Sequence, residues 1–389
     1  MKHTILTNIL FTLLLLISIP TYATDKFSIK NNDGITIHYK ITNNIKKTVA
    51  VIASPVDDNY NGIIHIPTSV KYKNQQYSIT SIEDSTFYNC NKLTSIILPN
   101  SITSIGNNAF MYCRLLTSIS LPNSLTTIGD EAFIGCEKLT SISLPNSLTS
   151  IGNYAFNGCN SLTSITLSNA LTSIGDGAFA YCYNLKNIEI PQSVKYIGDN
   201  IFCPISIHII NHSPHYIVDD GALYTSDKKT LLYVPTDKNN FTILPTTEAI
   251  GNKAFYGCGH IETLIIPNSV TTIGDKAFSY CESLTAITLP NSITSIGKEA
   301  FLRCHHLTSI TLPNAITSIK NLTFADCYSL TSIVLPDSIT SIGSEAFSWC
   351  EALTAITLPN SITSIGYHAF YNCSKLTSIN LPNSITAIE

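Results

Sequence analysis

Along most of the chain the apolar residues recur in one short order: Leu116-x-x-Ile119-x-Leu121, then Leu125-x-x-Ile128, then Ala132-Phe133-x-x-Cys136. Ile119 and Leu121 stand two apart, the spacing that puts both on one face of a strand, while Ser118 and Ser120 face the other way. Pro122 cannot donate to a ladder and ends the strand, and Asn123-Ser124 turn the chain. Leu125 and Ile128 return to the core, Gly129 makes a backbone turn, and Asp130 is placed to cap a helical turn. Ala132, Phe133 and Cys136 then share one inward face at helical spacing. Each unit therefore predicts a short strand, a tight turn and a single helical turn.

The unit repeats with a fixed step. Phenylalanine falls at Phe87, Phe110, Phe133, Phe156, Phe179 and Phe202, then at Phe255, Phe278, Phe301, Phe324, Phe347 and Phe370, every 23 residues within each run. Cysteine follows three positions later, from Cys90 to Cys182 and from Cys258 to Cys373. One such unit cannot bury its own apolar side and must stack on its neighbours. The expected fold class is a repeat solenoid, a leucine-rich-repeat-like right-handed coil of α/β type, mostly β, with short parallel strands and single helical turns. Stacking at about 4.8 Å piles like side chains into columns, and roughly thirteen or fourteen coils make a rod or arc of about 65 Å.

Units of the form LTSIxLPNSITSIGxxAFxxC resemble the leucine-rich repeats of the BspA-like family of bacterial surface proteins. The resemblance runs from about Ile79 to Glu389. It implies a secreted or surface-exposed adhesive protein whose partners are extracellular-matrix or plasma proteins or other microbial surfaces, and it carries over no catalytic residues.

Composition narrows the alternatives. Hydrophobic residues make up 44% of the 389 and charged residues only 12%, about half the usual ~25%. Intrinsic disorder needs the opposite balance. A net charge of −4 leaves no excess of Lys and Arg for nucleic acid. Residues 1–23 read as a secretory signal peptide, with Lys2 at the start, an apolar run from Ile9 to Ile19, and Thr21-Tyr22-Ala23 as the cleavage site. A membrane span needs about 20 apolar residues, and this run is little more than half that.

The remainder divides into 24–78, which alternates like strands and is expected to form an amino-terminal β cap, repeats over 79–202, an irregular repeat with a β-hairpin insertion over 203–249, and repeats over 250–389. Asp33-Gly34 marks a turn in the first of these. The hairpin is read in Gly221 to Pro235, with a polar tip, and is expected to project from the rod. The sequence ends at Glu389 within a unit, after Ile385 and Ile388. An uncapped coil end of this kind is expected to pair with a second copy or a partner, giving end-to-end self-association.

Twelve cysteines in an exported chain suggest disulfides, but the strict register argues for buried thiols that donate weakly to neighbouring carbonyls. Cys203 falls outside the column and is the odd thiol. His208, His212 and His215 are a possible zinc set, although their spacing is not a standard one and no fourth ligand is placed. Cys304-His305-His306 pairs a thiol with bases, yet Cys304 belongs to the buried column. No cofactor is implied, and no catalytic or metal site is expected.

The outward strand positions are the candidate binding surface: Ser118, Ser120, Ser141, Ser143, Ser164, Thr166, Thr288, Ser309, Thr311, Ser332 and Thr357 should form a hydroxyl-rich, nearly uncharged sheet face. Tyr112, Tyr181, Tyr280 and Trp349, near the helical turns, are candidate aromatic anchors or lids over the core. The leading expectation is an exported, non-enzymatic interaction protein. A glycan- or nutrient-binding module using the hydroxyl face is the alternative, and a hydrolase with its site in the 203–249 break is the third.

Overall fold

A computed structural model describes residues 25–55 and 60–388; the signal peptide read at 1–23 lies outside them. The fold is a leucine-rich-repeat-like β-solenoid of about twelve turns built on ~23-residue repeats, with no helix among the described residues. Length alone suggested more turns. The difference arises because the amino-terminal segment is spent on antiparallel strands and one coil is enlarged by the insertion.

The regular turns carry two short strands, as in Ser118–Ser120 and Thr127–Ile128. Both pair in parallel and in register with the same positions of the next coil: Ser141 lies opposite Ser164 and Thr127 opposite Ser150. The ladder is extended by side chains. Thr126 Oγ1 donates to the Thr103 carbonyl at 3.0 Å, beside the backbone bond between the same residues, and Ser124 Oγ donates to the Ile102 carbonyl at 2.6 Å.

The expected helical turn is absent, and the backbone shows why. Glu131 and Gly135 have φ of 58° and 67°, and the equivalent Asn108 and Tyr112 have 54° and 60°. Two left-handed residues per coil break the stretch into consecutive tight turns, closed by Ile134 N–H to Glu131 at 3.2 Å and Cys136 N–H to Phe133 at 3.1 Å. The alternate amides of Glu131, Phe133 and Gly135 then turn across to the next coil, donating to Asn153, Ala155 and Asn157, each at 2.7 Å. Asp130 is not a helix cap. Its carboxylate accepts the Asn153 amide at 2.7 Å, while its own amide donates to Asn107 Oδ1 at 2.8 Å, a third side-chain ladder. Gly129 permits this closeness, since a Cβ there would stand 2.6 Å from Asn107 Oδ1.

The core is a set of columns. Phenylalanine rings stack with centroids 5.0–5.7 Å apart from Phe87 to Phe179 and 5.0–5.5 Å apart from Phe255 to Phe370. All twelve cysteines are free thiols. From Cys113 to Cys182 and from Cys281 to Cys373 each repeat thiol donates to the phenylalanine carbonyl of the coil before, as Cys136 does to Phe110 at 3.2 Å and Cys304 to Phe278 at 3.2 Å. Cys258, the first after the insertion, instead faces the Val234 and Pro235 carbonyls at 3.7 and 3.8 Å. Cys203, off the column, is also buried and donates to the Lys253 carbonyl at 3.1 Å.

At the amino-terminal end Lys26–Lys30, Thr36–Asn43 and Thr48–Ile52 form an antiparallel set whose last member pairs in parallel with Gln75–Ile82. Tyr60 lies under Phe87 with its ring centroid 4.8 Å away. The central insertion does not project. Leu223 and Tyr233 face the core of the amino-terminal run, and Tyr224 and Leu231 face the core of the other, all four fully or almost fully buried. Both faces of this hairpin are covered, and only its tip around Asp227–Lys229 is exposed.

Candidate interaction surface

The hydroxyl strands take up one side of the solenoid. Because Ile119, Ile142 and Ile165 point inward, their neighbours Ser118, Ser120, Ser141, Ser143, Ser164 and Thr166 point outward and are exposed. Thr288, Ser309, Thr311, Ser332 and Thr357 are exposed on the second run, where five strands from Thr263–Ile265 to Ala355–Thr357 make one continuous sheet. Between the two stretches the face changes character: the Glu189 carboxylate accepts from His212 Nε2 at 2.8 Å, an exposed pair on neighbouring coils. A groove of about 730 Å³ runs beside Ser143 and Thr166 to this pair, edged by the amides of Asn123, Asn146, Asn169 and Gln192 from successive coils.

The face is less uniformly hydroxylic than the consensus unit suggests. Ile97, Ile210, Ile265 and Val334 occupy the same outward column, with Ile265 77% and Val334 71% exposed. Val334 lies between Thr311 and Thr357 in register. The information was present at individual positions, but an average over units hides it.

Tyr112, Tyr181, Tyr280 and Trp349 all hold the same place in their coils, the residue before the repeat cysteine, and all are left-handed, with φ between 59° and 61°. They therefore stand on the edge formed by the tight turns. Tyr181 shares a hydroxyl contact of 3.4 Å with Tyr256, Arg303 lies 5.1 Å from the Tyr280 ring, and Trp349 packs edge-on against Tyr371 at 6.0 Å. The groove beside the hydroxyl strands and the trough between Tyr112 and Tyr181 have no residue in common. The structure thus separates the two sets of candidate residues into two surfaces.

The other candidates do not converge. His208 and His215 are exposed, and His212 is engaged by Glu189. Among the described residues no three His, Cys, Asp or Glu side chains are grouped to hold a metal ion. Cys304 is enclosed, and desolvation drives its thiol well above the ordinary range. His305 stacks on Tyr328 at 4.9 Å and His306 Nδ1 contacts the Glu282 carbonyl at 2.7 Å, so neither base faces the thiol.

The BspA-type leucine-rich-repeat profile matches residues 68–217, 233–353 and 317–389, most of the chain. The chain belongs to the BspA-type leucine-rich-repeat family. This BspA-type chain is similar to a leucine-rich cell surface protein from Faecalibacterium prausnitzii, with 29% identity over 91% of this chain and 94% of that one and a TM-score of 0.65. It shares its fold with a leucine-rich-repeat protein from Eubacterium ventriosum (23% identity, 94% and 93% covered, TM-score 0.64). It also shares it with the pneumococcal vaccine antigen PcpA (23% identity, 87% and 93% covered, TM-score 0.63). No curated protein matches the chain.

Proposed function

We propose that this BspA-type chain is an exported, non-enzymatic surface protein that attaches to host or microbial macromolecules through its extended repeat surface. The observation that carries the reading is the outward column set of the strand face, exposed and in register over successive coils. Such a face offers many shallow, equivalent contacts, and contacts of that kind gain strength by acting together. The exposed Ile97, Ile265 and Val334 add apolar contact area to the hydroxyls. A surface location is supported by the 29% identity to a protein described as a cell surface protein over nearly its whole length.

The test is binding of the full chain to immobilised matrix and plasma proteins. Replacing Ser141, Ser164, Thr311 and Ser332 by glutamate adds charge without touching the core, because all four are exposed. Binding should fall by at least tenfold with the melting temperature unchanged. Capture that is indifferent to all four substitutions would count against the strand face.

A further inference from the structure

On the edge formed by the tight turns, Tyr112 and Tyr181 stand three coils apart in one column, and the two coils between them carry Gly135 and Gly158 at the same position. The result is a trough of about 270 Å³ with aromatic walls and a floor of bare backbone. The Cδ1–Cε1 edge of Tyr112 leans over Gly135, where a Cβ would come within 2.5 Å of Cδ1. A Cβ on Gly158 would meet nothing nearer than the Gly135 backbone at 3.7 Å, so the middle of the floor is open.

The walls are held. Tyr181 is fixed by its hydroxyl contact with Tyr256 at 3.4 Å and by Tyr183, which packs edge-on at 6.2 Å. Arg114 lies 5.7 Å from the Tyr112 ring and 3.6 Å from Glu137, so the one acid lining the trough has its counter-charge beside it. Asn157 and Asn160 complete the polar rim.

These surroundings select a chemistry. A charged ligand would meet no uncompensated opposite charge, and a wholly apolar one would find only ring surface and Ile134. An uncharged polyol with one apolar face satisfies both, its C–H face against a tyrosine ring and its hydroxyls on amide and carboxylate groups. The volume is close to the lower bound of ~300 Å³ for small-molecule pockets, a scale that suits one or two sugar rings and not a folded partner. We propose that the trough between Tyr112 and Tyr181 is a saccharide site that takes a neutral hexose or N-acetylhexosamine residue of a glycan. The site is distinct from the hydroxyl strands and does not depend on the adhesive reading of them.

The fold supplies its own test variants, because the same left-handed position holds tyrosine in some coils and glycine in others. Gly158→Tyr fills the trough and Tyr112→Gly removes a wall, each with a residue the position already accommodates. Asn372→Gly makes an equivalent backbone change far from the trough. Saturation-transfer NMR with maltotriose, cellotriose, lactose, N-acetyllactosamine and chitotriose is the readout. Transfer to at least one saccharide is expected for the unmodified chain and for Asn372→Gly, with loss in Gly158→Tyr and in Tyr112→Gly at unchanged circular dichroism. Absence of transfer from the unmodified chain to all five, or transfer that persists in Gly158→Tyr, overturns the proposal. Should Gly158→Tyr fail to fold, Tyr112→Gly decides alone, and persistence of transfer there overturns it equally.

Discussion

A thiol that is enclosed and donates to a carbonyl is stable only while it keeps its proton. Burial pushes the Cys182 and Cys203 thiols up to about 12 and the Cys373 thiol up to about 11, whereas an unfolded thiol titrates near ~8.5. Between those values the folded chain holds protons that the unfolded chain has released. The contribution is therefore complete below about pH 8.5 and is lost as pH rises toward the folded values. Each thiol adds a slope of up to about 1.4 kcal/mol per pH unit in that window. The urea midpoint should be flat from pH 6 to 8 and fall steeply by pH 10. Replacing Cys136, Cys159 and Cys182 together by alanine should make the fall shallower, although it lowers the midpoint at pH 7. A midpoint that does not move between pH 7 and 10 would contradict neutral buried thiols. The thiol column was legible in the sequence because its period matches that of Phe133 and Leu125, and register alone implies burial. What most of these thiols donate to, the phenylalanine carbonyl of the preceding coil, depends on backbone geometry that the letters do not carry. The outward Ile265 and Val334 were equally visible as letters, but their exposure follows only once Leu264 and Ile333 are placed inward.

The stretch from Gly129 to Cys136 shows how one pattern can serve two elements. An acid followed by Ala132, Phe133 and Cys136 fits a capped helical turn, and it fits consecutive tight turns equally well, since both bury residues three apart. Stacking decides between them. A helical turn would point its amides along its own axis, whereas left-handed Glu131 and Gly135 swing alternate amides onto the next coil, where the carbonyls of Asn153, Ala155 and Asn157 wait. The clue lay in residue exchange: Gly135 and Gly158 share a position with Asn89 and Asn372, the two residue types that tolerate positive φ most easily. Glu345, at φ 54° and half-buried, gives a measurable consequence. Glu345→Val places a β-branched residue in the left-handed region and should cost about 1–2 kcal/mol. Glu345→Gly relieves the same strain and should match or exceed the parent. Thermal melts of the two variants check the order, and a valine variant as stable as the glycine variant would remove the left-handed assignment. The strand Ser118–Ser120, by contrast, was readable, because period-two alternation ended by proline has no competing interpretation, whereas the second strand of the coil, Thr127–Ile128, is too short to alternate and was legible only as a return to the core.

At the scale of the molecule the insertion acts as a wedge. On the turn edge the two runs meet directly, with Asn252 Nδ2 on Asp199 Oδ2 at 2.7 Å and Cys203 on the Lys253 carbonyl at 3.1 Å. On the strand side, Tyr216–Asp219, Ala222–Thr225 and Thr230–Tyr233 intervene before the regular ladder resumes at Ala249–Ile250. The ladder of two-residue strands stops at Tyr196–Ile197, although Asn187–Ile190 still pairs with His208–Asn211, and two phenols take its place. Tyr216 receives the Ile197 amide at 2.7 Å and donates to Lys195 at 3.3 Å. Tyr233 receives the Ile207 amide at 3.1 Å and donates to Ile205 at 2.7 Å. The length of the break and its hairpin were visible in sequence, but a strand pair apolar on both faces reads like one with a solvent side until two cores are found to flank it. In a solenoid, stability is carried by neighbour-to-neighbour interfaces, so this junction controls whether the two runs unfold together. Tyr233→Phe leaves the Ile205 carbonyl and the Ile207 amide without their bridge, at a cost of about 1–3 kcal/mol, and that cost falls on the interface alone. The single tryptophan, Trp349, belongs to the carboxyl-terminal run and reports on it selectively, while far-UV circular dichroism reports on both runs. In the unmodified chain the two urea transitions should coincide. In Tyr233→Phe the circular dichroism transition should begin at lower urea than the tryptophan transition or trail behind it, because each run then unfolds at its own midpoint. Coincident curves in the variant would mean that the hairpin's packing against both cores, and not the phenol bridge, joins the two halves.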